Sequence, residues 1–265
     1  MEQDWDNLFV LDGCRYDLFE SVIDTEQFDT FRRMISLGGA TPEWTEQNFA
    51  EKSFGDTVYI ASNPFVSKIA PNSFHKIIEV WRESFDESAG TVRSNPVLDA
   101  ARNALETYPN KRVIVHLMQP HHPFIGSERF KNRSWSVEDV GQSQNSDMKT
   151  PWEALQKGEL ERDNVWSAYR ENLESVIDDA IEAAVSFDGR SVVTSDHGNL
   201  LGTRSYPIPM REFGHFNGLR HKDLVHVPWA VISGERRSIQ DHGIAQVEQS
   251  KDVVNDRLRQ LGYRQ

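Results

Sequence analysis

The stretch SVVTSDHG, residues 191–198, sets the reading of this chain: a short apolar run ends in an acid, an imidazole and a glycine. Four other runs share its shape. NLFVLD (7–12) also ends in an acid, and RVIVHL (112–117) leads into a cluster of histidines. TVYIAS (57–62) and VPWAVIS (227–233) complete the set. Each run is apolar throughout rather than alternating, which predicts strands buried on both faces. Helical patterns lie between them, at 15–24, 42–51, 95–108, 161–187 and 247–262. Asn95 and Pro96 read as the cap and first residue of the third, and Gly262 stops the last. Strands alternating with helices predict a parallel sheet covered on both faces. Ligands of such sheets sit beyond the carboxyl ends of the strands, and that is where the acids and histidines fall.

Composition narrows the functions available. A chain of 265 residues suits one α/β domain spanning 1–265, and no linker or repeat divides it. The formal net charge of -12 repels nucleic-acid phosphates and anionic lipid, so no nucleic-acid partner is expected. An anionic substrate must then be met by a local cation or metal. The single cysteine, Cys14, excludes an intrachain disulfide and a cysteine-rich zinc site. The N-terminus has no signal-peptide pattern, and no run reaches the roughly 18 apolar residues of a membrane span. A soluble cytoplasmic protein with no membrane segment is therefore expected. Residues 126–158 are polar and lack apolar periodicity, which predicts an insertion or lid.

Several residues can carry chemistry. Asp12 ends its strand before Gly13; it suits a metal ligand and equally a helix N-cap. Asp196 and His197 follow a buried strand, and one carboxylate with one imidazole suits zinc, manganese or a similar cation. Gly198 lets the backbone turn after them. His116, His121 and His122 lie in VIVHLMQPHHPF, where Pro120 and Pro123 stiffen the loop. His116 reads as a core histidine within its strand, and His121 as the contact for substrate or metal. His215, His221 and His226 form a second group, of which His226 reads as structural. His75 and His242 read as surface residues. Thr41, after Gly38 and Gly39, is expected at the N-cap of a helix opening with Pro42. A hydroxyl there lies in positive helix-dipole potential, although Thr is also an ordinary cap. Ser36, Ser53 and Ser62 are alternative nucleophiles. Asp17 reads as solvent-facing and Cys14 as buried.

In order, VLDGCRYD, PHHPF, VVTSDHGNLLG, the Gly214-His215 pair and the C-terminal RLRQLGY resemble the sulfatase-like branch of the alkaline-phosphatase superfamily. The resemblance implies an α/β three-layer sandwich with a mostly parallel central sheet and helices on both faces. It implies Asp12, Thr41, Asp196 and His197 around one divalent metal ion (Zn, Mn, Mg or Ca), with Thr41 as nucleophile and His121 and His215 about the transferred group. The chain lacks the Cys-x-Pro-x-Arg element of true sulfatases, so it is more similar to members that attack with an unmodified threonine. It also lacks the Asp-x-x-x-His spacing of a two-metal site. The implied activity is a hydrolase or transferase acting on a sulfate or phosphate ester, small or glycan-linked. The alternative is an inactive descendant that binds an anionic glycan or partner.

Overall fold

The computed structural model describes residues 3–125, 150–205 and 210–244. The main sheet is built from β1 (Asn7–Leu11), β2 (Thr30–Ile35), β3 (Phe54–Ala61), β4 (Phe74–Glu79), β7 (Arg112–Leu117), β8 (Ser191–Ser195) and β11 (His226–Ile232). Two small pairs are separate: β5 (Phe85–Asp86) with β6 (Thr91–Val92), and β9 (Leu200–Ser205) with β10 (Met210–Gly214). The helices are α1 (Tyr16–Val22), α2 (Thr41–Phe49), α3 (Phe65–Ile69), α4 (Val80–Glu83), α5 (Ser94–Thr107), α6 (Pro151–Gln156), α7 (Arg162–Ser186) and α8 (Lys222–Val225). No helix among the described residues is long and apolar enough to cross a membrane.

The seven strands lie in the order β2-β11-β8-β1-β7-β3-β4. Strands β8, β1, β7, β3 and β4 are parallel neighbours, whereas β11 runs against both β8 and β2. The sheet is thus mixed and mostly parallel, the central sheet that the resemblance implies. All five expected strands are present, and β7 keeps the bounds read from sequence. Leu8 and Phe9 are successive on β1, so their side chains point to opposite faces. The Phe9 ring meets Phe187, just past α7, at 5.5 Å. Leu8 shares a groove with Trp44 and Asn48 of α2. Helices α1 and α5 pack against α7 on the first face. The sheet is therefore the middle of three layers, and β1, buried at every residue, is its centre.

Local chemistry moves some boundaries. Helix α5 starts at Ser94 after an Arg93 cap, so Asn95 is helical rather than capping. Helix α2 is capped by Ala40, and Thr41 is its first residue rather than its cap. The polar stretch expected at 126–158 ends in ordered structure: Thr150 and Glu153 form a capping box over α6. That helix buries Pro151, Trp152, Ala154 and Leu155. Residues 126–149 and the helix expected at 247–262 lie outside the described residues.

Helix α2 is pinned to the sheet by Phe49. Its ring lies 5.0 Å from Trp44, 5.8 Å from Phe54, 5.8 Å from Tyr59 and 5.0 Å from Phe74. Such edge-to-face contacts add to area burial. Phe49→Ala is expected to cost about 3–5 kcal/mol, read as a lower urea midpoint with an unchanged slope.

Candidate active site

Register builds the site. On adjacent strands Leu11 of β1 sits opposite Ser195 of β8 and opposite Leu117 of β7, with Val10 opposite His116. Neighbouring strands lie about 4.8 Å apart, so the residues that follow, Asp12 and Asp196, emerge side by side. His116 is the penultimate residue of β7 and joins them. Ligand atoms of Asp12, His116 and Asp196 all lie within 4.8 Å of one another, and all three residues are buried. His197 closes from another side, its Nε2 3.7 Å from Asp12 Oδ1 and 3.5 Å from Asp196 Oδ2.

Each group is held in place by its neighbours. Asp196 Oδ1 accepts from the amides of Gly13 (2.9 Å) and His197 (2.8 Å), which leaves Oδ2 buried and without a hydrogen bond. Gly13 makes this approach at φ +67, where a side chain is strained. Asp12 does not cap α1, whose N-cap is Arg15. Its carboxylate instead accepts from Asn63 Nδ2 at 3.1 Å. His197 Nδ1 donates to the Gly198 carbonyl at 2.7 Å, so its Nε2 carries the lone pair that faces the carboxylates. His116 Nε2 lies 3.6 Å from Asp12 Oδ2 and has no hydrogen bond, while its Nδ1 meets the Tyr59 hydroxyl at 2.6 Å.

Thr41 is fully buried at the start of α2. Its Oγ lies 3.1 Å from His197 Nε2, and 3.4 Å and 3.5 Å from the two oxygens of Asp12. Gly38 and Gly39 serve by close approach: a Cβ on Gly38 would meet Trp44 N at 2.3 Å, and one on Gly39 would meet Phe216 O at 2.6 Å. Gly198 is similar, with Asp223 O 2.1 Å from where its Cβ would lie.

The remaining histidines divide. His121 and His215 stand over the cluster, with ring centroids 5.1 Å apart and His215 4.7 Å from His197. His121 Nδ1 donates to the His122 carbonyl at 2.6 Å. Asn199 Nδ2 donates to Gly13 O at 3.0 Å, so Asn199 Oδ1 must accept from His215 Nδ1 at 2.8 Å. In both rings the proton-accepting nitrogen is then Nε2. His221 caps α8, His226 is half-buried on β11, and His75 and His242 pair with each other far along the chain from these loops. Among the other hydroxyls, Ser36 donates to the Asp196 carbonyl, Ser62 is buried without a partner, and Ser53 is exposed. Cys14 is buried, and Asp17 pairs with Arg15 at 2.6 Å.

Sequence reasoning missed four supporting residues. His116 passed for a core histidine because it lies within a strand, although its place at a strand's carboxyl end was the available signal. Asn63, Asn199 and Arg15 carried no motif. Arg15 is buried and bonds Asn199 O at 3.1 Å and Asp223 at 3.3 Å, which ties the loop after β8 in place.

Burial, and then the neighbouring Asp196 carboxylate, hold Asp12 well above the ordinary carboxylate range. Burial pushes His116 down to about 4 and His122 to about 4. Burial and the nearby imidazoles push His121 and His215 well down. Two unpaired buried atoms, Asp196 Oδ2 and His116 Nε2, beside a crowded carboxylate pair fit a divalent cation of the oxygen- and nitrogen-binding kind.

Among solved structures, the chain is similar to the zinc complex of the C-terminal periplasmic domain of EcEptC from Escherichia coli. The TM-score is 0.56 at 15% sequence identity, over 87% of this chain and 72% of that one. The soluble domain of lipooligosaccharide phosphoethanolamine transferase A from Neisseria meningitidis matches with TM-score 0.52 and 15% identity, over 86% and 76% of the two chains. The chain has the alkaline-phosphatase-like α/β fold. Against the integral membrane form of the Neisseria meningitidis transferase the TM-score is 0.52 at 13% identity. That match covers 86% of this chain but 47% of that one, so the chain spans about half its length. No protein-family model and no curated protein matches the sequence.

The carboxylate pair gives a prediction for metal-stripped protein. Asp12 keeps its proton in the fold to higher pH than in the unfolded chain, where its ordinary value is 3.8. The folded state then binds more protons, so this group lowers stability as pH rises above that value. Asp12→Asn removes the effect. Its thermal midpoint should exceed that of the wild type by a margin that grows from about pH 5 to neutrality, and it should lose the upward shift on adding zinc or manganese. Differential scanning calorimetry at several pH values checks both.

Proposed function

We propose that this chain is a metal-dependent hydrolase or transferase that acts on a phosphate or sulfate ester through the hydroxyl of Thr41. The observation that carries this reading is the placement of Thr41 Oγ, at the positive end of α2, within 3.4 Å of Asp12 and 3.1 Å of His197. The alkaline-phosphatase-like fold supports it. So do the names of the similar structures, one a phosphoethanolamine transferase and one holding zinc.

Asp12, Asp196 and His197, with His116 as a further imidazole, would hold one divalent cation. When bound, it would acidify the Thr41 hydroxyl and offset charge on the substrate's oxygens. The chain's own groups do the rest. The helix dipole of α2 favours the alkoxide and an incoming anion. Thr41 Oγ forms a bond to phosphorus or sulfur as the bond to the leaving oxygen breaks, which gives a covalent threonine ester. His121 or His215, unprotonated at Nε2 at rest, takes the proton that the Thr41 hydroxyl gives up and passes it to the leaving oxygen. Water or an acceptor hydroxyl then attacks the ester and gives its proton to that Nε2, which passes it to Thr41 Oγ as the threonine ester bond breaks.

Thr41→Ala should lower turnover of an aryl phosphodiester or sulfate ester by about 1,000-fold or more while the protein still takes up metal. Rapid quenching of the wild type followed by peptide mass spectrometry should find the transferred group on Thr41. A modified Ser62 peptide, or full activity of Thr41→Ala, would reject this nucleophile.

A further inference from the structure

His121 and His215 line one side of a cavity of about 270 Å³ whose other groups the reaction above leaves unused. His122 and Trp152 are in its wall, with Phe213 and Phe216. His122 is 5% exposed and neither ring nitrogen has a hydrogen bond. Trp152 is also 5% exposed, and its Nε1 has no acceptor. The His122 ring stacks on His121 at 4.4 Å and meets the Trp152 ring edge-on at 6.1 Å. Trp152 is further fixed by Phe124 at 6.0 Å and Tyr169 at 6.2 Å.

An unmatched donor and acceptor on one buried ring cost free energy, as does a second unmatched donor beside it. A core-filling role is served equally by Phe at both positions, which would leave nothing unpaired. Their place in the wall of a cavity that opens on the two catalytic imidazoles gives the cost a purpose. The volume is just below the roughly 300–1,000 Å³ of sites for drug-sized ligands, so it holds one small ring or a short chain. Among the described residues no Lys or Arg lines it, and Glu153 adds a carboxylate, which argues against a second phosphate. An aromatic wall set with the polar groups of His122, Trp152, Thr150, Glu153 and Gln156 suits carbon-bound hydroxyl groups.

We propose that this cavity is a binding subsite for the hydroxyl-bearing part of the ester or of its acceptor, a sugar ring or a short polyol, with His122 and Trp152 as its hydrogen-bonding groups. It rests on the reading of the neighbouring cluster as the reacting centre and adds the chemical class that centre would serve. Hydroxyls would bridge His122 and Trp152 while the ring or chain lies on the aromatic wall. Sites that hydrogen-bond a hydroxyl discriminate strongly against the analogue that lacks it.

Calorimetric titration of the full chain, with and without zinc, tests this with four probes. Glycerol phosphate is compared with propyl phosphate, and glucose phosphate with cyclohexyl phosphate, so each pair shares its anion and approximate size. The wild type should bind at least one hydroxylated probe about tenfold more tightly than its partner. A preference for the glucose ester assigns a sugar ring, and one for the glycerol ester a polyol. His122→Phe keeps the ring stack and should bring the ratio to about one, while His122→Asn should keep part of it. Trp152→Phe should lower it and reads the same cavity if a His122 variant fails to fold. Equal binding within both pairs, no binding of any probe, or a ratio that survives both Phe variants overturns the proposal. Thr41→Ala should keep the ratio. An inactive wild type that shows it would reject the catalytic reading and leave the subsite standing.

Discussion

Two carboxylates buried side by side at the ends of adjacent parallel strands are the constraint on which the rest depends. Asp12 and Asp196 are both fully buried, and their ligand atoms fall within 4.8 Å. At that separation and an effective dielectric near 20, two full charges repel by on the order of 3 kcal/mol, before desolvation is counted. A fold with total stability of about 5–15 kcal/mol does not keep such a pair without a compensating partner. The imidazoles supply little positive charge, since burial holds His116 at about 4. A shared divalent cation answers the repulsion directly, and it explains why Asp196 Oδ2 and His116 Nε2 are left unpaired.

The surrounding architecture serves this pair. The order β8-β1-β7 sets the spacing, and the register sets the height. The loop after β8 is held by Ser36, Arg15 and Ser195, so the Asp196 carboxylate cannot turn away. Helix α2 is locked by Phe49 and by two close glycine approaches, which set Thr41 against Asp12. The hydroxyl, the carboxylates and the histidines thus come from five separate segments fixed by packing. Preorganisation of that kind is what group transfer needs, because little rearrangement then remains for the reaction.

The strands of the sheet's middle were legible because burial on both faces leaves unbroken apolar runs. The edge strands were not. TFRRMI in β2 is mostly exposed, and FHKIIE in β4 is half-buried, so neither shows an apolar run. Strand direction was also invisible: VPWAVIS has the same composition whether it runs with β8 or against it. In the site, Asp12, Asp196, His197 and Thr41 could be read from their positions beside strand and helix ends. Asn63, Asn199 and Arg15 could not, because their roles come from hydrogen bonds to residues far away in sequence. His116 shows the limit of local reading, since a histidine inside an apolar run looks the same whether it fills a core or faces a cation.

The most direct measurement is an anomalous-difference map from crystals grown with zinc or manganese. The account predicts one strong peak about 2.0–2.3 Å from oxygens of Asp12 and Asp196 and from Nε2 of His197 or His116, with Thr41 Oγ at its open side. A metal bound only elsewhere, or the two carboxylates sharing a proton with no ion between them at saturating metal, would contradict it.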